Sequence, residues 1–206
     1  MKILRFSVGV MMTNCYFIVD EESAACAVVD PGEDADKILA KLKDKGLRVE
    51  AILLTHGHFD HIMALPALVA ATGAKVMLHE KDEALYSDND LNCMRRFAGV
   101  DLPMPPIDRL LRESDEIAVG GSRIRVLHTP GHTEGSVCYL CGEDLITGDT
   151  LFAGSCGRSD LPGGDYRTLL SSLHRLRDLP DDYRIFPGHG TSSHLERERH
   201  TNVYLL

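Results

Sequence analysis

Apolar positions alternate along the chain between short continuous runs and helical stripes. VEAILLT (49–55) is a continuous apolar run, the mark of a strand covered on both faces. AKVMLH (74–79) is a second. Between such runs lie segments of helical period. DADKILAKLKDKG (34–46) puts Ile38, Leu39 and Leu42 on one face and ends at Gly46. MALPALVAATG predicts a helix from near Pro66 to Gly73, since proline is tolerated in a first turn. EKDEALYSD reads as a short helix. MKILRFSVGVMMTNCYFIVD starts with a lysine and apolar residues, but Arg5 and Ser7 interrupt the run and no small-residue cleavage site follows. It predicts two short strands rather than a signal peptide.

Residues 88–108, with Pro103, Pro105 and Pro106, predict an irregular excursion over the surface, a length of loop that often walls a site. The second half repeats the plan. DEIAV and SRIRVLH form a hairpin across GG, and SVCYL and DLITGDT are strands joined by a CGE turn. DYRTLLSSLHRLRDLP is a helix with Leu169, Leu170, Leu173 and Leu176 on its buried side. RIFPGHG is a short strand and loop, and the tail from Ser192 is helical. The alternation predicts an α/β chain with two similar halves.

Composition sets the outer limits. A chain of 206 residues, 44% apolar, can build one sizeable core, and a single domain over 1–206 is expected. A net charge of −9 disfavours a nucleic-acid or anionic-membrane partner. No apolar run approaches a membrane span. The expected setting is cytoplasmic, with a small-molecule partner. Six cysteines are scattered without a disulfide pattern. The lone CxxC, Cys138 and Cys141, lies in an apolar run and reads as a pair of buried strand residues.

The histidines change the picture. Of ten, five sit beside glycine or aspartate in loops directly after apolar strands: His56, His58, His61, His132 and His189. Asp60 and Asp149 sit likewise. Loops at strand ends are where α/β sheets build sites. THGHFDH (55–61) carries four of these residues. His56 and His58 are two apart, so on an extended segment both imidazoles face one side and can grip one cation. Asp60 and His61 fall where the chain turns towards a helix, which suits a second cation about 3.5–4 Å away. The PGH segments at 130–132 and 187–189 each supply a histidine, and Asp149 at a strand end could bridge. Imidazole and carboxylate without thiolate suit zinc, iron or manganese. His79, His128, His174, His194 and His200 lack this context and read as ordinary polar residues.

HGHFDH followed by PGH, GDT and PGH resembles the metallo-β-lactamase fold superfamily, over nearly the whole chain and in the family's order. The resemblance implies a four-layer αββα sandwich. It implies that His56, His58 and His132 hold one metal, that Asp60, His61 and His189 hold another, and that Asp149 and a water-derived hydroxide bridge them. Asp149 argues against the true β-lactamases of this fold, which have cysteine or serine in that region. GDTLFAGSCGRSDLPGGD (148–165) is similar to short glyoxalase II-like hydrolases of hydroxyacyl-glutathione thioesters. Arg158 stands where the longer glyoxalase II enzymes carry a lysine, so it is a candidate for a substrate carboxylate; a loop-fixing arginine is the other reading. The tyrosine that follows the last ligand histidine in those enzymes is replaced by Gly190 and Thr191.

The expected activity is therefore dinuclear hydrolysis of a thioester such as S-lactoylglutathione, with two divalent ions, zinc before iron or manganese, and Asp60 orienting the hydroxide. The rivals are a mononuclear iron persulfide dioxygenase using His56, His132 and Asp149, and an esterase, lactonase or phosphodiesterase on the same residues. The last is a non-catalytic metal-binding module.

Overall fold

The computed structural model describes residues 1–206. In chain order its strands and helices are β1 Lys2–Val8, β2 Thr13–Val19, β3 Ala25–Val29, α1 Ala35–Asp44, β4 Arg48–Leu53, α2 Phe59–Ile62, α3 Leu65–Thr72, β5 Lys75–His79, α4 Glu83–Ser87, α5 Met94–Phe97, β6 Arg109–Leu111, β7 Glu116–Val119, β8 Ser122–His128, β9 Val137–Cys141, β10 Asp144–Gly148, β11 Leu151–Phe152, β12 Ser155–Cys156, α6 Tyr166–Arg177, β13 Arg184–Pro187, β14 Ser193–His194 and α7 Leu195–Thr201.

Two six-stranded sheets form, in the orders β1-β2-β3-β4-β5-β6 and β14-β13-β10-β9-β8-β7. Both are mixed. In the first, β3 to β6 pair in parallel while β1, β2 and β3 pair antiparallel. In the second, only β10 and β13 are parallel.

Strand alternation sorts the side chains into three apolar layers. Along β2, Cys15 and Phe17 turn to the layer shared with α1 and α3, where Ile38, Leu42 and Leu68 pack. Tyr16 and Ile18 turn the other way, into the layer between the sheets. There they join Leu53 from β4 and Val126, Tyr139 and Ile146 from the second sheet. The opposite faces of β8 to β10 meet Leu169, Leu173 and Leu176 of α6. A strand with apolar residues on both faces must be covered on both, so the layers run helix, sheet, sheet, helix. This is the expected αββα sandwich. Cys138 and Cys141 lie in different layers, and all six cysteines are free. No helix is long and apolar enough to cross a membrane.

The departures from the expected elements are small. The excursion at 88–108 contains one helical turn, α5. The tail first adds β14 to the sheet edge before α7 begins. β6 and the β11–β12 hairpin carry too few residues to show a period.

Candidate metal centre

The cluster forms where β4, β10 and β13 end. Beyond β4 the chain bends at Thr55 and His56, His58 is extended with φ −69° and ψ 150°, and the single turn of α2 begins at Phe59. His56 and His58 therefore precede the helical turn, and Asp60 and His61 lie in it.

All seven residues singled out in the sequence meet here. Nε2 of His132 lies 2.9 Å from Nδ1 of His58 and 3.2 Å from Nε2 of His56. Nε2 of His61 lies 3.3 Å from Nε2 of His189 and 3.6 Å from Oδ2 of Asp60. Nε2 of His189 is 3.2 Å from the same Asp60 oxygen. Asp149 stands between the two groups. Its Oδ1 is 3.5 Å from His61, and its Oδ2 is 3.7 Å from His132 and 3.5 Å from His189. Three sets of ligand-type atoms result: His56, His58 and His132; His56, His61 and Asp149; and Asp60, His61 and His189.

Hydrogen bonds at the outer nitrogens aim the rings. His132 Nδ1 donates to the Arg158 carbonyl at 2.7 Å, and His61 Nδ1 donates to Asp30 at 3.0 Å. The Thr55 hydroxyl gives its proton to Asp30 at 2.7 Å, so it accepts from His56 Nδ1 at 3.1 Å. The Nε2 lone pairs of His56 and His132 then face each other across 3.2 Å, with His58 Nδ1 2.9 Å from His132 as the one neighbouring nitrogen able to donate. Such a pair repels unless positive charge lies between. Asp149 Oδ1 and His58 Nε2 are also buried without a hydrogen-bond partner. Bare lone pairs and an orphaned carboxylate oxygen fit cations, and outer donors of this kind orient metal-binding histidines.

The charges agree. Burial, then neighbouring imidazoles, keep His56 far below its ordinary range and push His58 down to about 3, so both are neutral. Burial also pushes His61 down, but Asp60, Asp149 and Asp30 outweigh it and raise that ring to about 10. Burial opposes ionisation of Asp60, yet His61 and His189 hold its carboxyl well below the usual range. The carboxylates thus draw a proton onto His61, the place a metal would take.

The two Pro-Gly-His loops need their glycines. A side chain at Gly131, whose φ is +131°, would strike the Leu169 backbone on α6. One at Gly188 would come within 2.1 Å of Asp149 Oδ1.

Several contributors were not foreseen from the sequence. Asp30, fully buried after β3, accepts from the Thr55 backbone N–H at 2.8 Å besides His61 and the Thr55 hydroxyl. Its signal was the one that exposed Asp149, a carboxylate at the end of an apolar strand. Asp82 ties two site loops together, accepting from the Gly57 and Gly135 backbone N–H groups at 3.0 and 2.6 Å. Nothing local distinguishes it in EKDEAL. Thr13 donates to Asp60 Oδ2 at 3.2 Å.

A cleft of about 400 Å³ opens over the cluster, walled partly by Met11, Cys93 and Phe97. The 88–108 excursion is therefore a wall of this cleft. Arg158 reaches the same cleft, its guanidinium paired with Asp160 at 2.6 and 2.7 Å. His79 and His128 lie apart from the cluster and stack on each other, with ring centres 4.0 Å apart.

Fold and cluster together define a class. Residues 8–189 match the family model described as the metallo-beta-lactamase superfamily, and the chain belongs to that superfamily. It is 38% identical to the probable metallo-hydrolase YqgX of Bacillus subtilis over all of this chain and 98% of the relative. It is 35% identical to the hydroxyacylglutathione hydrolase GloC of Haemophilus influenzae, over 100% and 98% of the two chains. Two solved structures are close. BLEG-1, described as a B3 metallo-beta-lactamase, superposes with a TM-score of 0.94 at 36% identity over 99% of each chain. TTHA1623, solved in a di-iron-bound form, superposes at 0.87 with 40% identity, over 98% of this chain and 100% of that one.

Proposed function

We propose that the chain hydrolyses hydroxyacyl thioesters of the S-lactoylglutathione kind. In this reading His56, His58 and His132 hold one divalent cation, Asp60, His61 and His189 hold a second, and Asp149 is shared. Zinc is the expected metal, ahead of iron or manganese. The observation that carries the reading is the position of Asp149, whose two oxygens approach His61 on one side and His132 on the other. The likeness to GloC and to a structure with two irons supports it.

Cations bound there would lower the pKa of a water towards neutrality and would polarise a carbonyl. The protein supplies the aim. Thr13 steadies Asp60, which orients the attacking water, and the Arg158 carbonyl fixes His132. The Arg158 guanidinium exchanges Asp160 for a carboxylate of the substrate. A thiolate leaves readily, so no strong protein acid is required.

The likeness to BLEG-1 favours β-lactam opening as a second reading. The test is a panel offered to protein loaded in turn with zinc, iron and manganese: S-lactoylglutathione, a lactone, a phosphodiester, a β-lactam and glutathione persulfide. Thiol release from the thioester is expected to dominate. Preferential β-lactam opening, or oxygen uptake with the persulfide at one iron per chain, contradicts the proposal.

A further inference from the structure

Beside the catalytic cleft lies a second cavity of about 250 Å³. Met11, Phe59, Asp60 and Phe97 line both, so the two spaces adjoin along these residues. The chemistry of their far ends is opposite. The first has Arg158, a fixed cation. The second is closed by Val8, Met63 and Ala98 and has no basic side chain. Its carboxylate, Glu33, already accepts from the Val10 backbone N–H at 3.1 Å.

The rim is mostly apolar, with the Arg96 guanidinium resting on the Phe97 ring 5.1 Å from its centre. The turn between β1 and β2 leaves Val10 and Met11 at 87% and 51% exposure at this opening, and Phe97 on α5 is 48% exposed. Apolar side chains of this size, exposed together around one opening, mark a binding surface, and the methionines adapt to a flexible occupant. This arm has no cation to receive a carboxylate, and its polar side chains, Thr13, Glu33 and Asp60, are already hydrogen-bonded. A thioester with its carbonyl at the cluster and its anionic carrier towards Arg158 would direct its acyl group into the apolar arm.

We propose that this arm is an acyl-chain subsite, and that the preferred substrates are thioesters of aliphatic hydroxyacyl groups longer than lactoyl. The inference rests on the thioester reading and makes it more specific. It assigns Met11, Met63, Phe97 and Ala98 to chain-length selection, distinct from the residues around the cations.

The test is kcat/KM of the metal-loaded enzyme on glutathione thioesters of lactate, 2-hydroxyhexanoate and 2-hydroxyoctanoate. An increase of about fourfold per methylene is expected until the arm is full. Ala98→Trp, which fills the arm, and Met11→Ser, which removes its rim, should each reduce the hydroxyoctanoyl-to-lactoyl ratio at least tenfold. A ratio near one in the parent enzyme, or one unchanged in both variants, overturns the subsite while leaving thioester hydrolysis intact. If no thioester is cleaved, the thioester reading itself fails, and calorimetric titration with octanoate then decides the arm. Binding that either folded variant weakens tenfold sustains an aliphatic subsite. No binding, or equal binding by parent and variants, overturns it.

Discussion

Asp149→Ala is expected to lower kcat/KM for thioester hydrolysis by about 10³-fold or more, with the fold retained. Asp149 is the one carboxylate whose two oxygens lie near histidines of both groups, and one of those oxygens is buried without a partner. Metal-centred charge stabilisation contributes several kcal/mol to a hydrolytic transition state, and about 1.4 kcal/mol corresponds to tenfold in rate. Loss of the shared carboxylate removes much of that contribution by loosening both cations. Gly188 packs against this side chain, so alanine leaves space rather than a clash there. The measurement is kcat/KM beside metal content, with Asp149→Asn as the variant of matched shape. Activity within tenfold of the parent in both variants would exclude a shared role.

Asp30→Ala is expected to be the most damaging single change to stability, by about 3–5 kcal/mol. The carboxylate is wholly buried and accepts from the Thr55 backbone, the Thr55 hydroxyl and His61 Nδ1. Alanine leaves those donors unpaired and takes a counter-charge away from a buried imidazole. For a chain of this length the loss amounts to roughly a 10 °C fall in Tm. Its pH dependence has a definite sign in metal-free protein. The folded pKa of His61 is raised from 6.5 to about 10, so its charged interactions stabilise fully below 6.5 and fade as pH rises towards 10. The deficit of Asp30→Ala should follow the same course, largest below pH 6.5 and smaller near 10. Melting curves of metal-free parent and variant across that range check it. A deficit that grows with pH contradicts the role given to His61.

Asp149 and Asp30 are unequally visible in the sequence. The seven cluster residues could be read because each lies in a loop straight after an apolar run, four of them in one heptapeptide. The layers could be read because β2, β3 and β4 are apolar on both faces. Asp30 carried a readable signal, an aspartate after CAVVD's apolar run, but it has a positive φ of 50° and no second ligand-type residue beside it. Asp82 had none, because its partners at Gly57, Thr133 and Gly135 come from distant loops. The apolar arm was invisible for a similar reason. Met11 belongs to a turn between two strands and Phe97 to one helical turn in a proline-rich excursion, and only the folded chain brings them to one cleft. Arg158 suits either a substrate-binding or a loop-fixing role. It faces the cleft, and it is also held by Asp160.

The central claim is that this cluster holds two cations and uses them together. Titration of metal-free protein with zinc, followed by release of thiol from S-lactoylglutathione, tests it most directly. Activity should stay low through the first equivalent, rise through the second and level off at two per chain. Full activity at one equivalent, or activity independent of added metal, would contradict it.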